Sequence, residues 1–297
     1  MSNMPRLLLP ETLAGLANLE LVARTAVEGF LVGLHRSPHF GFSQEFKEYR
    51  AYAEGDDPRF IDWNVYARTE RTYIRRYEGE TNTRVMIALD ASASMGYGSH
   101  AVTKLQYAKY LAAAFAYLAA RQHDPTGLIV FDERVRHYRA PTSQGGGLSG
   151  IIHAIDAVQA GGRTDLSGSF QRFQEHLQRR GLVVVISDLY CDPEAMLRAV
   201  QPLAYRGHDI VLFQVLDPQE LQPQWREAMQ LEDIETGQSL MVSGEYLQSE
   251  YQQRLAAHLA SIRAVAARLR AEQLLIPTNE PLNRALRRYL LFRQGRH

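Results

Sequence analysis

Asp90-Ala91-Ser92-Ala93-Ser94 sets a carboxylate and two hydroxyls at alternate positions of one short stretch. Extended backbone turns residues i, i+2 and i+4 to the same side, so this spacing can aim all three at one point. Such an all-oxygen donor set suits a hard divalent cation: Mg²⁺, Mn²⁺ or Ca²⁺. Two later segments carry donors of the same kind. Gly161-Gly162-Arg163-Thr164 is a glycine-bent loop bearing a hydroxyl, and Val184-Val185-Ile186-Ser187-Asp188 is an apolar run ending in an acid. Asp90, Ser92, Ser94, Thr164 and Asp188 are therefore the candidate metal ligands. Only Asp90 and Asp188 are anionic. A cation held this way keeps its electrophilic character and has affinity for one more carboxylate, an Asp or Glu supplied by a partner. Ser and Asp after a strand are also ordinary turn residues, so the pattern acquires meaning only from the elements that position it.

Those elements alternate. Residues 85–89 form a short continuous apolar run that ends at Asp90, and residues 103–121 carry an apolar stripe at helical spacing. Runs at 128–131, 182–186 and 210–216 read as further core strands, 135–139 as an edge strand, and 148–158, 169–179 and 193–203 as helices. Strands apolar on both faces and separated by helices predict an α/β fold with a mostly parallel central sheet flanked by helices. Ligands of such sheets bind at the carboxyl ends of the strands, where Asp90 and Asp188 fall. After the last core strand come a hairpin within 228–243, a long helix over 245–272, a strand at 274–276 and a final helix opened by Asn279-Glu280-Pro281. Before the first core strand, residues 11–34 read as one or two helices and 36–76 as an irregular, aromatic and charged stretch. The expected organisation is an N-terminal extension over 1–83, packing on the core, and an α/β domain over 84–297.

Composition removes several function classes. The chain has 297 residues and a formal net charge of +0, which argues against a nucleic-acid protein held by a broad basic face. Lys47, Lys104 and Lys109 are its only lysines; nearly all the basic charge is Arg, suited to planar pairing with carboxylates. Cys191 is the one cysteine, so no internal disulfide can form, which fits a reducing compartment. With no histidine nearby in sequence, it reads as an inert thiol. The first twelve residues lack a basic stretch followed by an apolar run, so no signal peptide is expected. The longest apolar stretch, 111–120, is about half the roughly 20 residues of a membrane span. A cytoplasmic protein is expected. The histidines show no zinc-ligand spacing, Gly145-Gly146-Gly147 lacks the Lys-Ser/Thr of a P-loop, and no G-x-S-x-G elbow occurs.

The spaced Asp90, Ser92 and Ser94, Thr164 after a Gly-Gly turn, and Ser187-Asp188 after a strand together resemble the metal-ion-dependent adhesion site of von Willebrand factor A domains. Their order and the gaps of roughly 70 and 25 residues fit that fold. The resemblance implies a Rossmann-like sheet with a cation at its top, with Asp90, Ser92 and Ser94 on the first loop, Thr164 on the second and Asp188 on the third. Arg163 departs from the small residue that many members have before the threonine. A second resemblance rests on His35-Arg36-Ser37, Glu45-Phe46-Lys47-Glu48-Tyr49-Arg50, Gly55-Asp56-Asp57-Pro58-Arg59-Phe60-Ile61-Asp62-Trp63-Asn64, Ala67-Arg68-Thr69 and Arg76-Tyr77-Glu78-Gly79-Glu80. Over residues 30–190 the chain is similar to the bacterial domain-of-unknown-function 58 family. Members are commonly encoded beside MoxR-type AAA+ ATPases, which implies an adaptor acting with such an ATPase in protein maturation, cofactor delivery or envelope stress. Physically, 55–63 reads as a charged turn that clasps the N-terminal region to the sheet through Phe60, Ile61 and Trp63. The binding role needs no general base. The alternative is a Mg²⁺-dependent phosphoesterase or nuclease using Asp90 and Asp188, although two-metal chemistry usually needs more clustered carboxylates and only Asp165 and Asp192 lie near.

Overall fold

The computed structural model describes residues 8–16, 18–35, 46–53, 61–77, 83–143, 147–163, 169, 177, 179–224, 228–234, 237–244, 246 and 249–294. By contacts the chain divides into two compact units, one of Phe30–Asn82 and one of Met1–Gly29 with Thr83–His297. Residues up to Gly29 thus group with the sheet and not with the rest of the 1–83 extension. The physical reason is burial. Helices α1 (Pro10–Ala14) and α2 (Leu19–His35) bury Leu13, Leu19, Val22, Ala23, Ala26 and Val27. Leu282 N donates to Leu8 O at 3.2 Å, which ties this segment to the C-terminal part of the chain.

The central sheet has six strands in the order β10-β7-β6-β3-β4-β5. They are β3 (Arg84–Asp90), β4 (Thr126–Phe131), β5 (Val135–Thr142), β6 (Gly181–Ser187), β7 (Asp209–Leu216) and β10 (Glu272–Pro277). All pairings are parallel except that of β5 with β4, at the sheet edge. β4 and β6 are buried along their whole length, which explains why their sequences run apolar without alternation. One sheet face, carrying Met86, Ala88, Val183, Val185, Ile210 and Leu212, packs against α6 (Pro193–Tyr205) and α8 (Glu250–Arg268). Burying each such Val, Leu or Ile side chain stabilises by about 1.5–3 kcal/mol. The other face meets α4 (Lys104–Arg121), buried on almost every side, and α9 (Leu282–Gln294). There Phe115 contacts Phe213 and Tyr289, with ring centroids 5.2 and 4.8 Å apart. This is the α/β architecture expected, a mostly parallel sheet covered by helices on both faces.

Between β4 and β6 lie β5 and α5 (Gly147–Asp156); the helix expected over 169–179 lies almost wholly outside the described residues. After β7 come α7 (Pro218–Leu221) and a separate two-stranded ribbon, β8 (Met229–Glu232) with β9 (Ser239–Val242). No described helix is long and apolar enough to cross a membrane.

Tyr107 on α4 is fully buried, and its hydroxyl donates to Glu280 O at 2.9 Å. Tyr107→Phe is expected to destabilise the protein by about 1–2 kcal/mol, since it leaves a buried carbonyl without that donor. Urea unfolding of the two proteins measures it.

The unit Phe30–Asn82 is more ordered than its sequence suggested. β1 (Phe46–Ala51) and β2 (Tyr73–Tyr77) pair antiparallel, with α3 (Trp63–Thr69) between them in sequence. With Lys47, Glu48 and Arg50 charged, β1 carries no apolar alternation that would mark it as a strand. Asp62, 3% exposed, caps α3 by accepting from Val65 N at 3.2 Å. Residues 54–60, and with them Asp56, Asp57, Arg59 and Phe60 of the expected clasp, lie outside the described residues. Trp63, expected as an anchor, is 62% exposed, and among the described residues its ring meets that of Tyr66 edge-on at 6.0 Å.

Candidate functional site

β3 and β6 are neighbours in register, Leu89 opposite Ile186, so Asp90 and Ser187 end their strands side by side. Ser187 Oγ donates to Asp90 Oδ2 at 2.6 Å and accepts from Leu189 N at 3.0 Å. Ser92 N donates to Asp90 Oδ1 at 2.9 Å, which folds the first loop back over the strand end. Asp90 and Ser92 have no exposed surface. A short 3₁₀ turn, Ala93–Gly96, follows; the buried Met95 pins it and sets Ser94 Oγ 3.1 Å from Ser92 Oγ. Three of the five expected donors, Asp90, Ser92 and Ser94, are thus gathered on one loop.

The second loop is stitched to the first by two backbone bonds, Gly161 N to Ala91 O and Ala93 N to Gly162 O, both 2.9 Å. Gly162 has φ +77°, and a Cβ there would lie 2.3 Å from Asp132 Oδ2. The Asp132 carboxylate is held by Arg136, whose guanidinium also donates to Gln159 O and Gly161 O. Gly162→Ala is expected to cost about 1–2 kcal/mol or more, from the left-handed backbone and that overlap together; a lowered unfolding midpoint in urea is the readout. Arg163 is exposed. Thr164, which follows it, lies outside the described residues.

Asp188 is the third-loop acid, and it too has no exposed surface. Its Oδ1 accepts from Tyr190 N at 3.2 Å, and Gln214 Nε2 donates to its backbone carbonyl at 3.0 Å. Its Oδ2 accepts from Lys104 Nζ at 2.9 Å, a partner the sequence reading missed. Lys104 is wholly buried and reaches Glu220 Oε1 at 2.7 Å with the same ammonium. The rings of Tyr190 and Tyr97 lie 5.1 and 5.9 Å from its nitrogen. Thr103 fixes the arrangement by capping α4, accepting from Gln106 N at 3.1 Å. Glu220 is fixed by a capping box with Asp217, which also accepts from Ser99 N and Ser99 Oγ. The available signal was compositional: two of only three lysines, Lys104 and Lys109, interrupt an otherwise apolar helix.

The charges are unevenly matched. Burial, then the nearby Asp188 carboxylate, push Asp90 up to about 7, although its bonds from Ser187 and Ser92 pull the other way. Burial alone would lower the Lys104 ammonium, but Asp188 and Glu220 outweigh it and hold it above the ordinary lysine range. No ion pair among the described residues involves Asp90. Cys191 is pushed up to about 12 by burial and by Asp188, Asp90 and Asp192, so its thiol is not a nucleophile at neutral pH. Asp192 is engaged as the cap of α6, accepting from Ala195 N at 2.9 Å. The described residues hold no group of three or more His, Cys, Asp or Glu side chains placed to bind a metal. The donor set here is instead one uncompensated carboxylate with two adjoining hydroxyls, and a second acid whose outer oxygen faces a lysine. Its chemistry fits a single hard cation, with Asp90, Ser92 and Ser94 as the residues that would hold it.

The family model described as "Protein of unknown function DUF58" matches residues 48–261. The chain is 28% identical over 258 residues to Uncharacterized protein Rv1480 of Mycobacterium tuberculosis and equally to Uncharacterized protein Mb1516 of Mycobacterium bovis, covering 85% of this chain and 80% of theirs. Among solved structures it is similar to BatB of Bacteroides thetaiotaomicron, at 15% identity and TM-score 0.47 over 69% of this chain and 95% of that one. It is also similar to the SpRpn10 VWA domain, at 14% identity and TM-score 0.41 over 69% and 93% of the two chains.

Proposed function

The chain belongs to the DUF58 family of proteins of unknown function, and from that footing we propose that it is a metal-dependent protein-binding module and not an enzyme. The cation is Mg²⁺, or Mn²⁺ or Ca²⁺ in its place, held by Asp90, Ser92 and Ser94, with Thr164 and Asp188 completing the set. The partner supplies an Asp or Glu side chain to the cation. We further propose that the module works with a MoxR-type AAA+ ATPase in maturing or remodelling a client protein.

One observation carries this reading: a fully buried Asp90 carboxylate at the carboxyl edge of the sheet, with two hydroxyls beside it and no basic side chain paired with it among the described residues. Leaving a charge buried without a counter-charge is expensive; a divalent ion would supply the counter-charge, and neutral hydroxyls would complete its shell without quenching it. A protein carboxylate is then the natural last ligand. When bound, the ion supplies Lewis acidity for that carboxylate. The chain's own part is to hold Asp90 through Ser187 and to hold the loop through Gly161 and Gly162. The binding role is favoured over hydrolysis because Asp192, which would have to serve beside Asp90 and Asp188 in two-metal chemistry, is committed to capping a helix.

The test is co-purification of the chain with a co-expressed MoxR-type ATPase, with Mg²⁺ and with chelator. Capture that needs Mg²⁺ is expected. Capture equal in chelator removes metal dependence, and turnover of phosphate esters or nucleic acid that needs both Mg²⁺ and Asp90 replaces the binding role with catalysis.

A further inference from the structure

At the opposite end of the sheet, where β3 and β6 begin, a cavity of about 180 Å³ opens between the strand starts. Arg84, Arg179 and His208 line it together with apolar residues, among them Met86 and Leu177, and no described acid lines it. Neither guanidinium makes an ion pair or a side-chain hydrogen bond among the described residues, in a chain whose arginines and carboxylates are otherwise numerous enough to pair. His208 is 7% exposed. Its Nε2 lies 3.1 Å from Leu177 O, and since a carbonyl only accepts, Nε2 is the protonated nitrogen. Its Nδ1 is buried and has no hydrogen-bond partner. Buried polar atoms are almost always satisfied, so this nitrogen indicates a missing partner.

We propose that this cavity is a binding site for a small phosphate-class anion. Two planar guanidiniums match the paired oxygens of a phosphate better than those of a monovalent anion. A monohydrogen phosphate also carries one O–H, which can donate to the bare Nδ1 of His208, while its other oxygens accept from Arg84 and Arg179. The apolar side chains of the wall, Met86, Leu177, Leu182 and Val183, lower the local polarity and strengthen those contacts. Size narrows the class: about 180 Å³ is below the roughly 300–1,000 Å³ of pockets for drug-sized ligands. Inorganic phosphate, pyrophosphate or a small phosphate monoester fits that limit, whereas a nucleotide could enter only with its terminal phosphate. The site is independent of the proposed metal, being at the other edge of the sheet.

The experiment is calorimetric titration of the full chain with inorganic phosphate and with pyrophosphate, at fixed ionic strength and in chelator so that no metal can recruit the anion. Arg84→Gln, Arg179→Gln and the double variant are titrated alongside. Saturable binding is expected in the wild-type protein, weakened about tenfold or more by each single change and lost in the double variant. Phosphate should raise the wild-type unfolding midpoint by a few degrees and leave that of the double variant unmoved. Circular dichroism and Mg²⁺ titration of the variants report whether the fold and the other edge survive. No saturable binding to wild type, or equal binding to the double variant, overturns the proposal, as does an equal midpoint shift from chloride at the same ionic strength. In the first case an ordered water is left as the partner of Nδ1.

Discussion

Asp90→Ala is expected to eliminate Mg²⁺ binding, with a loss on the order of a hundredfold or more. Removing a residue that merely orients a metal ligand typically costs about 10- to 100-fold, and Asp90 is proposed as the only anionic ligand of the first loop. The fold should survive. The substitution strands Ser187 Oγ, which donates to Asp90 Oδ2 at 2.6 Å, at a cost of about 1–3 kcal/mol. It also removes a buried carboxylate that burial and Asp188 both disfavour, and the two effects oppose each other. Calorimetric titration with Mg²⁺ and Mn²⁺, beside urea unfolding of both proteins, separates binding from stability. Equal heats in the two proteins would discard the metal site, whatever the stabilities. Ser92→Ala should weaken binding less, because it removes a neutral donor and leaves the Asp90 carboxylate in place.

Lys104→Met should give the largest loss of stability, about 3–5 kcal/mol, as expected when one partner of a buried ion cluster is removed. Methionine fills much the same volume, so the loss reports charge and not a cavity. Asp188, with no exposed surface, and Glu220 would both be left without their ammonium. Two outcomes distinguish this cause from general disruption. Adding Glu220→Gln to Lys104→Met should recover part of the loss, since one uncompensated acid is gone. Millimolar Mg²⁺ should stabilise Lys104→Met more than wild type, because the ion then supplies charge that the lysine had supplied. A loss below about 1 kcal/mol would show that solvent, not Lys104, neutralises the pair.

Much of this molecule could be read without coordinates. Residues 85–89 and 182–186 are apolar at every position and 210–216 at every position but Gln214, a pattern that a parallel strand covered on both faces requires, and β3, β6 and β7 stand there. Asp90 and Asp188 could be placed at one edge because a parallel sheet brings its carboxyl ends together. The edge position of β5 and the β8–β9 ribbon were also legible, whereas the antiparallel direction of β5 was not. Residues 36–76 were not: Lys47, Glu48 and Arg50 leave β1 without an apolar alternation, and Trp63, expected as an anchor, is 62% exposed.

Local periodicity carries the order of strands and helices, the α/β class, and the type of donor at each strand end. Which partner each of those donors meets was decided only in three dimensions. Lys104 and Glu220 are 116 residues apart and Lys104 and Asp188 are 84 apart, and no local pattern encodes such a pairing. The same holds for Ser187 and Asp90, 97 residues apart, and for Arg84 and Arg179, which line one cavity with His208. The physical reason is that hydrophobic periodicity is a property of the chain, whereas the charge balance of a buried site is a property of the space that the folded chain encloses.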